Sequence, residues 1–369
     1  MDHQNCAFSV WCIVVGIIFL TGCEDPYSTE NNGNPPVPID SGKIFNIESD
    51  IVYVSGNTFY RYHASDDTSS VLFVAGHRSC PIEWGDHGNS VYFLATHALR
   101  EYAIADSSLR NLVAGEWDYF KVSPNGKYVL LQQRSKYPYP LTLFNLQDSV
   151  KIPLIEFLIH TLGDSSQFEL IPQPAQFSWE DDAHFTLLCT LKKHVTPDSV
   201  VENKSFYILK LQDNEITLVK LSLLSNHVVA VSNNGKLRLL YMNGGYFVLI
   251  NSATHDSTTL DFVFFDLDLA GFSPLQNWIW IRYFEHPLFS IWWPARYYLY
   301  NIRTGQHSRA IPGVKITEII SFSPSENQIT SASKINDDFE ICVRDFSVDR
   351  AMRITEKTHP FEWPVFQSE

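Results

Sequence analysis

Residues Val122 to Leu131 read Val-Ser-Pro-Asn-Gly-Lys-Tyr-Val-Leu-Leu. An apolar residue enters a Ser-Pro-Asn-Gly turn and a run of β-formers leaves it, which is hairpin grammar. The stretch is one copy of several. Val122-Ser123-Pro124 recurs as Phe272-Ser273-Pro274 and as Phe322-Ser323-Pro324, with looser copies at Val231-Ser232-Asn233, Phe177-Ser178-Trp179 and Ile82-Glu83-Trp84. In each, a short apolar strand leads to a turn of Pro, Asn, Gly or Asp, and a longer alternating strand follows. The copies lie 40 to 55 residues apart.

A second hairpin follows each copy: 99–115, 141–154, 205–221, 246–263, 297–313 and 339–355, with a seventh at 58–76 ahead of the first copy. Four short antiparallel strands recurring at this period predict an all-β chain folded as a β-propeller. Seven blades over residues 43–369 fit the spacing best, with six or eight open. Only 156–163, Glu-Phe-Leu-Ile-His-Thr-Leu-Gly, has the character of a helical turn or two. Pro360-Phe361-Glu362-Trp363 repeats the pattern of Pro81-Ile82-Glu83-Trp84 but lies too near the end of the sequence to start a blade. The last segment is therefore expected to supply the inner strand of the first blade and close the ring. Lys43–Ser49 is the competing candidate for that strand.

This Φ-Ser-Pro-x-Gly-Lys-x-Φ grammar resembles the WD-like repeats of TolB-type propellers, found in bacterial envelope proteins and in the propeller domains of prolyl oligopeptidase-type peptidases. The family favours Asp after the Pro; here Asn125, Leu275 and Ser325 stand there, and Asn233 replaces the Pro itself. The resemblance implies a structural role for the motif: Ser and Pro shape the turn, and Gly126 or Gly235 supplies a positive φ.

Residues 7–22 are sixteen residues without a charge, ending in Leu20-Thr21-Gly22-Cys23. The segment resembles a bacterial lipoprotein signal with its lipobox. That implies a signal peptide at 1–22, lipidation at Cys23, and an envelope location on a bacterial membrane, periplasmic or surface-facing. The pattern usually has Lys or Arg before the apolar core, and Met1–Cys6 has neither; an uncleaved anchor is the other reading. Residues 23–42 read as a polar, flexible tether, and 43–369 as the propeller domain. Of the remaining cysteines, Cys189 and Cys342 lie in apolar alternating stretches and are expected to be buried small hydrophobes, whereas Cys80 has no evident role.

The formal charge of −14, without a basic cluster, lacks the footprint of a nucleic-acid binder. There is no G-x-S-x-G elbow, no HExxH and no metal-ligand spacing among the 13 histidines, so no catalytic residue, metal or cofactor is assigned. Asp66-Asp67 and Glu180-Asp181-Asp182 fall at predicted turns, where acids are ordinary. In a propeller, the connections between second and third strands share one end of the ring with the links between blades. Long connections are predicted at 134–140, 192–205 and 285–296, and the longest link at 156–174. They carry the candidate binding residues: Arg134, Lys136, Tyr137, Tyr139, Lys192, His194, His286, Phe289, Trp292 and Trp293. Flat rings and scattered cations in polar segments suit a protein, peptide or glycan partner. A propeller hydrolase or lyase with carboxylates at the central channel, and a structural subunit of an envelope complex, are the alternatives.

Overall fold

The Ser-Pro-Asn-Gly turn is held by its own side chains. Ser123 Oγ accepts the Tyr128 N–H at 2.9 Å and donates to Asn125 Oδ1 at 2.8 Å. Asn125 Oδ1 also accepts the Lys127 N–H at 3.0 Å. Gly126 donates its N–H to Ser123 O at 2.9 Å and sits at φ 66°, the left-handed region open to glycine. Ser232, Asn234 and Gly235 reproduce these bonds within about 0.2 Å. Ser273 and Ser323 repeat the serine contact to the backbone five residues on, each at 3.0 Å. All four serines are buried.

The structure is a computed structural model and describes residues 39–40, 43–75, 81–85, 88–95, 97–133, 139–163, 168–196, 199–225, 227–264, 267–283, 296–309, 315–316, 320–335, 338–355 and 364–367. Their strands form seven antiparallel sheets. Sheet 1 comprises Val365–Phe366, Ile51–Ser55, Thr58–His63 and Thr68–Val74. Sheet 2 comprises Ile82–Gly85, Ser90–Ala95, Ala98–Ala103 and Ser108–Ala114; sheet 3, Tyr119–Val122, Tyr128–Gln132, Leu141–Asn145 and Lys151–Pro153. Sheet 4 comprises Phe168–Trp179, His184–Thr196, Ser199–Gln212 and Glu215–Leu224; sheet 5, Val228–Val231, Leu237–Tyr241, Tyr246–Asn251 and Ser257–Val263. Sheet 6 comprises Leu267–Phe272, Trp278–Tyr283, Arg296–Asn301 and His307–Arg309. In sheet 7, Lys315–Ile316 and Ser321–Phe322 both pair with Gln328–Ile335, followed by Asp338–Asp345, Arg350–Arg353 and Ile39–Asp40. The first strands neighbour one another: Val365–Phe366 lies beside Ile82–Gly85, which lies beside Tyr119–Val122, which lies beside Phe168–Trp179. They form the inner wall of the propeller.

The run Val129-Leu130-Leu131 shows why these strands carry no polar face. All three residues are fully buried. Val129 and Leu131 pack with Tyr92, Leu94 and Leu99 of sheet 2, while Leu130 packs with Leu170, Phe185 and Tyr207 of sheet 4. A blade buries both faces against its neighbours, so alternation selects the neighbour rather than separating core from water. Cys189 and Cys342 are buried within such contacts, as expected; Cys80 lies outside the described residues.

The C-terminal segment supplies the inner strand of sheet 1: Ile51 pairs with Phe366 and Val52 with Val365, antiparallel. Pro360 to Trp363 lie outside the described residues. Lys43–Ser49 forms no strand. Instead, Asn46 O and Glu48 N–H bond the Gln328 side chain of sheet 7, at 2.7 and 3.0 Å. Ile39–Asp40 adds a parallel strand outside sheet 7, pairing with Ala351 and Met352.

Two segments differ in element type from the sequence expectation. Residues 192–205, expected as a long connection, continue the two middle strands of sheet 4 as a hairpin with Thr196 opposite Ser199. The link 156–174 consists of a helix, Leu154–Leu162, and the start of the first strand of sheet 4, from Phe168. Leu154 and Leu158 bury that helix against sheets 3 and 4.

Sheet 6 has lost the turn asparagine: Leu275 stands where Asn125 stands in sheet 3. Glu326, from the matching turn of sheet 7, takes over. Its carboxylate accepts Ser273 Oγ–H at 2.8 Å, the Asn277 N–H at 3.2 Å and the Leu275 N–H. The first two are the bonds Asn125 makes locally to Ser123 and Lys127, now supplied from the next sheet; the third is added. Glu326→Ala should therefore cost about 2–4 kcal/mol, since buried donors lose their acceptor. Leu275→Asn, at an exposed position, should recover about 1 kcal/mol or more of that loss in the double variant and little in the wild type. Chemical denaturation of the four proteins of the cycle measures the coupling; additive effects would contradict the substitution of one acceptor for the other.

Candidate functional site

Chain added to the ring gathers at one end. In every sheet the second strand runs toward its connection with the third, and the links between sheets leave from that same end. There the middle strands of sheet 4 reach 13 and 14 residues, against 5 and 6 in sheet 5. Lys204 pairs with Leu224, the last residue of the outer strand of sheet 4. Beyond that row the outer strand has ended, and the hairpin is backed by the first strand alone, as far as Phe168 opposite Lys193.

Alternation gives the hairpin two sides. Leu188, Phe206 and Ile208 pack on Val228 of sheet 5, together with Val231 and Leu240. Thr190, Lys192, Glu202 and Lys204 follow with the same parity, so they share the side toward sheet 5. Lys192 pairs with Glu202 at 3.0 Å across the two strands. Nearer the sheet, Gln173 donates from Nε2 to Thr190 Oγ1 at 2.8 Å, and its Oε1 accepts Lys204 Nζ–H at 2.7 Å. Gln173 can reach both because the first strand of sheet 4 shifts register between Pro172 and Phe177. Burial holds the Lys204 ammonium below the usual lysine range.

The short second-to-third connection of sheet 5 leaves a cavity of about 330 Å³, lined by His227, Val229, Tyr241, Met242, Asn243, Gly244 and Gly245. Its floor is a tight turn: the Gly245 N–H donates to Met242 O at 3.0 Å, and Gly244 and Gly245 sit at φ 96° and 84°. Tyr241 is fixed by donating its hydroxyl to Phe264 O at 2.8 Å. Val229 and Tyr241 pack with the core shared by sheets 5 and 6, so the cavity lies on the face of sheet 5 turned away from the Lys204 row.

Of the residues expected at this end, Lys192 lies on the projecting hairpin, half-buried, and His194 lies in the same strand opposite Val200. Tyr139 ends the sheet 3 connection at φ 63°, half-buried. Arg134, Lys136, Tyr137, His286, Phe289, Trp292, Trp293 and the lipidation residue Cys23 lie outside the described residues. Sequence reading missed Gln173, Thr190, Lys204 and His227. A parity signal existed for one of them: Lys204 shares a face with Phe206 and Ile208, an uncommon place for a lysine.

The described acids serve the fold. Asp181 accepts the Ala183 and His184 N–H groups, each at 2.7 Å, and so forms a turn. Asp67 accepts the Tyr62 hydroxyl, and Asp268 pairs with Arg282 at 3.1 Å. Among the described residues no group of three His, Cys, Asp or Glu is placed to hold a metal ion, and no helix is long and apolar enough to cross a membrane.

The fold is that of a TolB-like and WD-like β-propeller. Among solved structures, the chain is similar to TolB from Acinetobacter baumannii, with a TM-score of 0.51 and 10% identity over 88% of this chain and 68% of that one. It is equally similar to the dihydro-heme d1 dehydrogenase NirN, with a TM-score of 0.51 and 12% identity over 90% of this chain and 76% of the other. No protein-family model and no curated protein matches the sequence.

The cavity floor depends on Gly245, where an added Cβ would meet Phe264 O at 2.7 Å with φ already positive. Gly245→Ala should destabilise the protein by about 1–3 kcal/mol. Gly244→Ala, whose Cβ meets nothing closer than the Tyr246 ring at 3.7 Å, should cost only about 1 kcal/mol, the strain of the backbone alone. Denaturant midpoints of the two variants read the difference.

Proposed function

We propose that this protein is a cell-envelope lipoprotein, anchored through Cys23, whose propeller binds a protein, peptide or glycan partner at the end that carries the sheet 4 hairpin. The observation that supports this reading best is the concentration of additions at one end. The projecting hairpin, the linking helix and the 330 Å³ cavity all belong to it. At the opposite end, the turns close on Ser, Asn and Glu side chains in tight hydrogen-bonded arrangements. Extra chain at one end of a scaffold is where binding is commonly placed. The anchor reading draws on Leu20-Thr21-Gly22-Cys23, and the location follows from it. The reading also takes in the aromatic residues Phe289, Trp292 and Trp293, which the sequence pattern puts in a long connection of this kind.

Affinity capture from envelope extract tests the reading. Wild type is compared with Trp292→Ala/Trp293→Ala and with a variant in which Asn-Gly replaces residues 194–200. Lys193 and Val201 are opposite partners, so a two-residue turn can close the shortened hairpin. The expected result is unchanged thermal stability with loss of the captured partners. Equal recovery by all three proteins would overturn the assignment of this end. In the same strain, Cys23→Ser should abolish incorporation of labelled fatty acid; retained label would remove the anchor.

A further inference from the structure

Lys204 occupies a place where a cation is costly. It is half-buried on the sheet 5 side of sheet 4, and its Nζ donates at 2.7 Å to the neutral Oε1 of Gln173. Glu202, two residues away on the same side, pairs with Lys192 at 3.0 Å and offsets only part of the burial of Lys204, whose ammonium stays below the usual lysine range. An ammonium removed from water and bonded to a neutral acceptor is stabilised by any anion that reaches it. The neighbouring donor is Thr190, directly opposite Lys204 in the sheet. Its Oγ1 accepts from Gln173 at 2.8 Å, which leaves the hydroxyl proton to donate. Gln173 thus braces both groups while consuming one of three ammonium protons.

We propose that Lys204 and Thr190, braced by Gln173, form a subsite for a single carboxylate group of a ligand bound beside the sheet 4 hairpin. The proposal rests on the reading that this end of the propeller binds. One cation and one hydroxyl match a monoanion. The acids at 169 and 202 on the same side and the overall charge of −14 disfavour more highly charged groups. The carboxylate can belong to an acidic peptide or to an acidic sugar, and the test separates them.

Full-length protein is titrated calorimetrically with two probes, N-acetylglutamate amide and glucuronate, each against its neutral counterpart, N-acetylglutamine amide and glucose. The carboxylate form of one probe should bind and its neutral form should not. Lys204→Met, which keeps the aliphatic stem, should weaken binding about tenfold or more, and Thr190→Val by less. Lys204→Arg should retain it. Binding requires the protonated amine. In wild type, affinity should therefore fall as pH rises through the lowered lysine pKa, whereas in Lys204→Arg the fall should disappear. Binding of both neutral forms, no binding of either carboxylate, or equal affinity in Lys204→Met would overturn the subsite. The capture experiment stays separate: a Lys204→Met protein that still recovers partners while losing carboxylate affinity leaves the binding end intact and limits Lys204 to the small ligand.

Discussion

One backbone N–H, at the start of the second strand of sheets 3, 5, 6 and 7, constrains much of the structure. Where the chain turns from the inner strand into the second, this group points into a site closed by neighbouring sheets, and an unmet donor there costs about 1–3 kcal/mol. Ser123, Ser232, Ser273 and Ser323 answer it the same way: a buried Oγ accepts from the residue five positions on. A longer side chain would not fit the turn, and an alanine would leave the donor bare. The serine is therefore the constant part of the repeat while its neighbours vary.

That variation shows how a repeat becomes a ring. In sheets 3 and 5 the serine proton goes to the turn's own asparagine, Asn125 or Asn234. In sheet 6 it goes to Glu326 of sheet 7. In sheet 7 the asparagine position is Ser325, which donates to Glu48 ahead of sheet 1 at 2.6 Å. Losing the local acceptor converts an internal turn bond into a bond between neighbours. Both replacements flank the closure of the ring, where Val365–Phe366 joins the rest of sheet 1 by hydrogen bonds alone. Ser321 adds a third bond there, accepting the Phe366 N–H of the closing strand at 3.2 Å. A second turn type repeats at the other hairpin: Asn145, Asn251, Asn301 and Asp345 each end a third strand and accept the N–H two residues on.

These local bonds explain how much was legible in the sequence. A turn spends its information within six residues, so Ser-Pro-Asn-Gly and its relatives marked the sheets, and the apolar runs after them marked strands buried on both sides. The asparagine turns were equally local and went unread, because a lone Asn among polar turn residues is common. Glu326 could not be read, since its partners lie about fifty residues earlier in another sheet. The hairpin of sheet 4 reads as a connection in the sequence because residues 192–203 scatter three valines among polar residues, and apolar alternation, the signal for a strand, is lost. The candidate site was legible only as an end of the ring: Lys192 and His194 lie on its hairpin, whereas Gln173, Thr190 and Lys204 come together through register and a bulge.

The same packing decides where function can be added. Each sheet must match two neighbours along its buried length, so an insertion within a strand would break two interfaces at once. Additions must lie past the strand ends. At one end, the turns are committed to the Ser, Asn and Glu bonds that hold the sheets, and the spacing from Ser123 to Tyr128 or from Ser273 to Trp278 admits no extra residue. At the other end, the second and third strands differ in length from sheet to sheet, 13 and 14 residues in sheet 4 against 5 and 6 in sheet 5. Sheet 4 lengthened and sheet 5 stayed short, which exposes one side of a hairpin that would otherwise face another sheet. Lys204 is half-buried yet open to a ligand because its own sheet outgrew its neighbour.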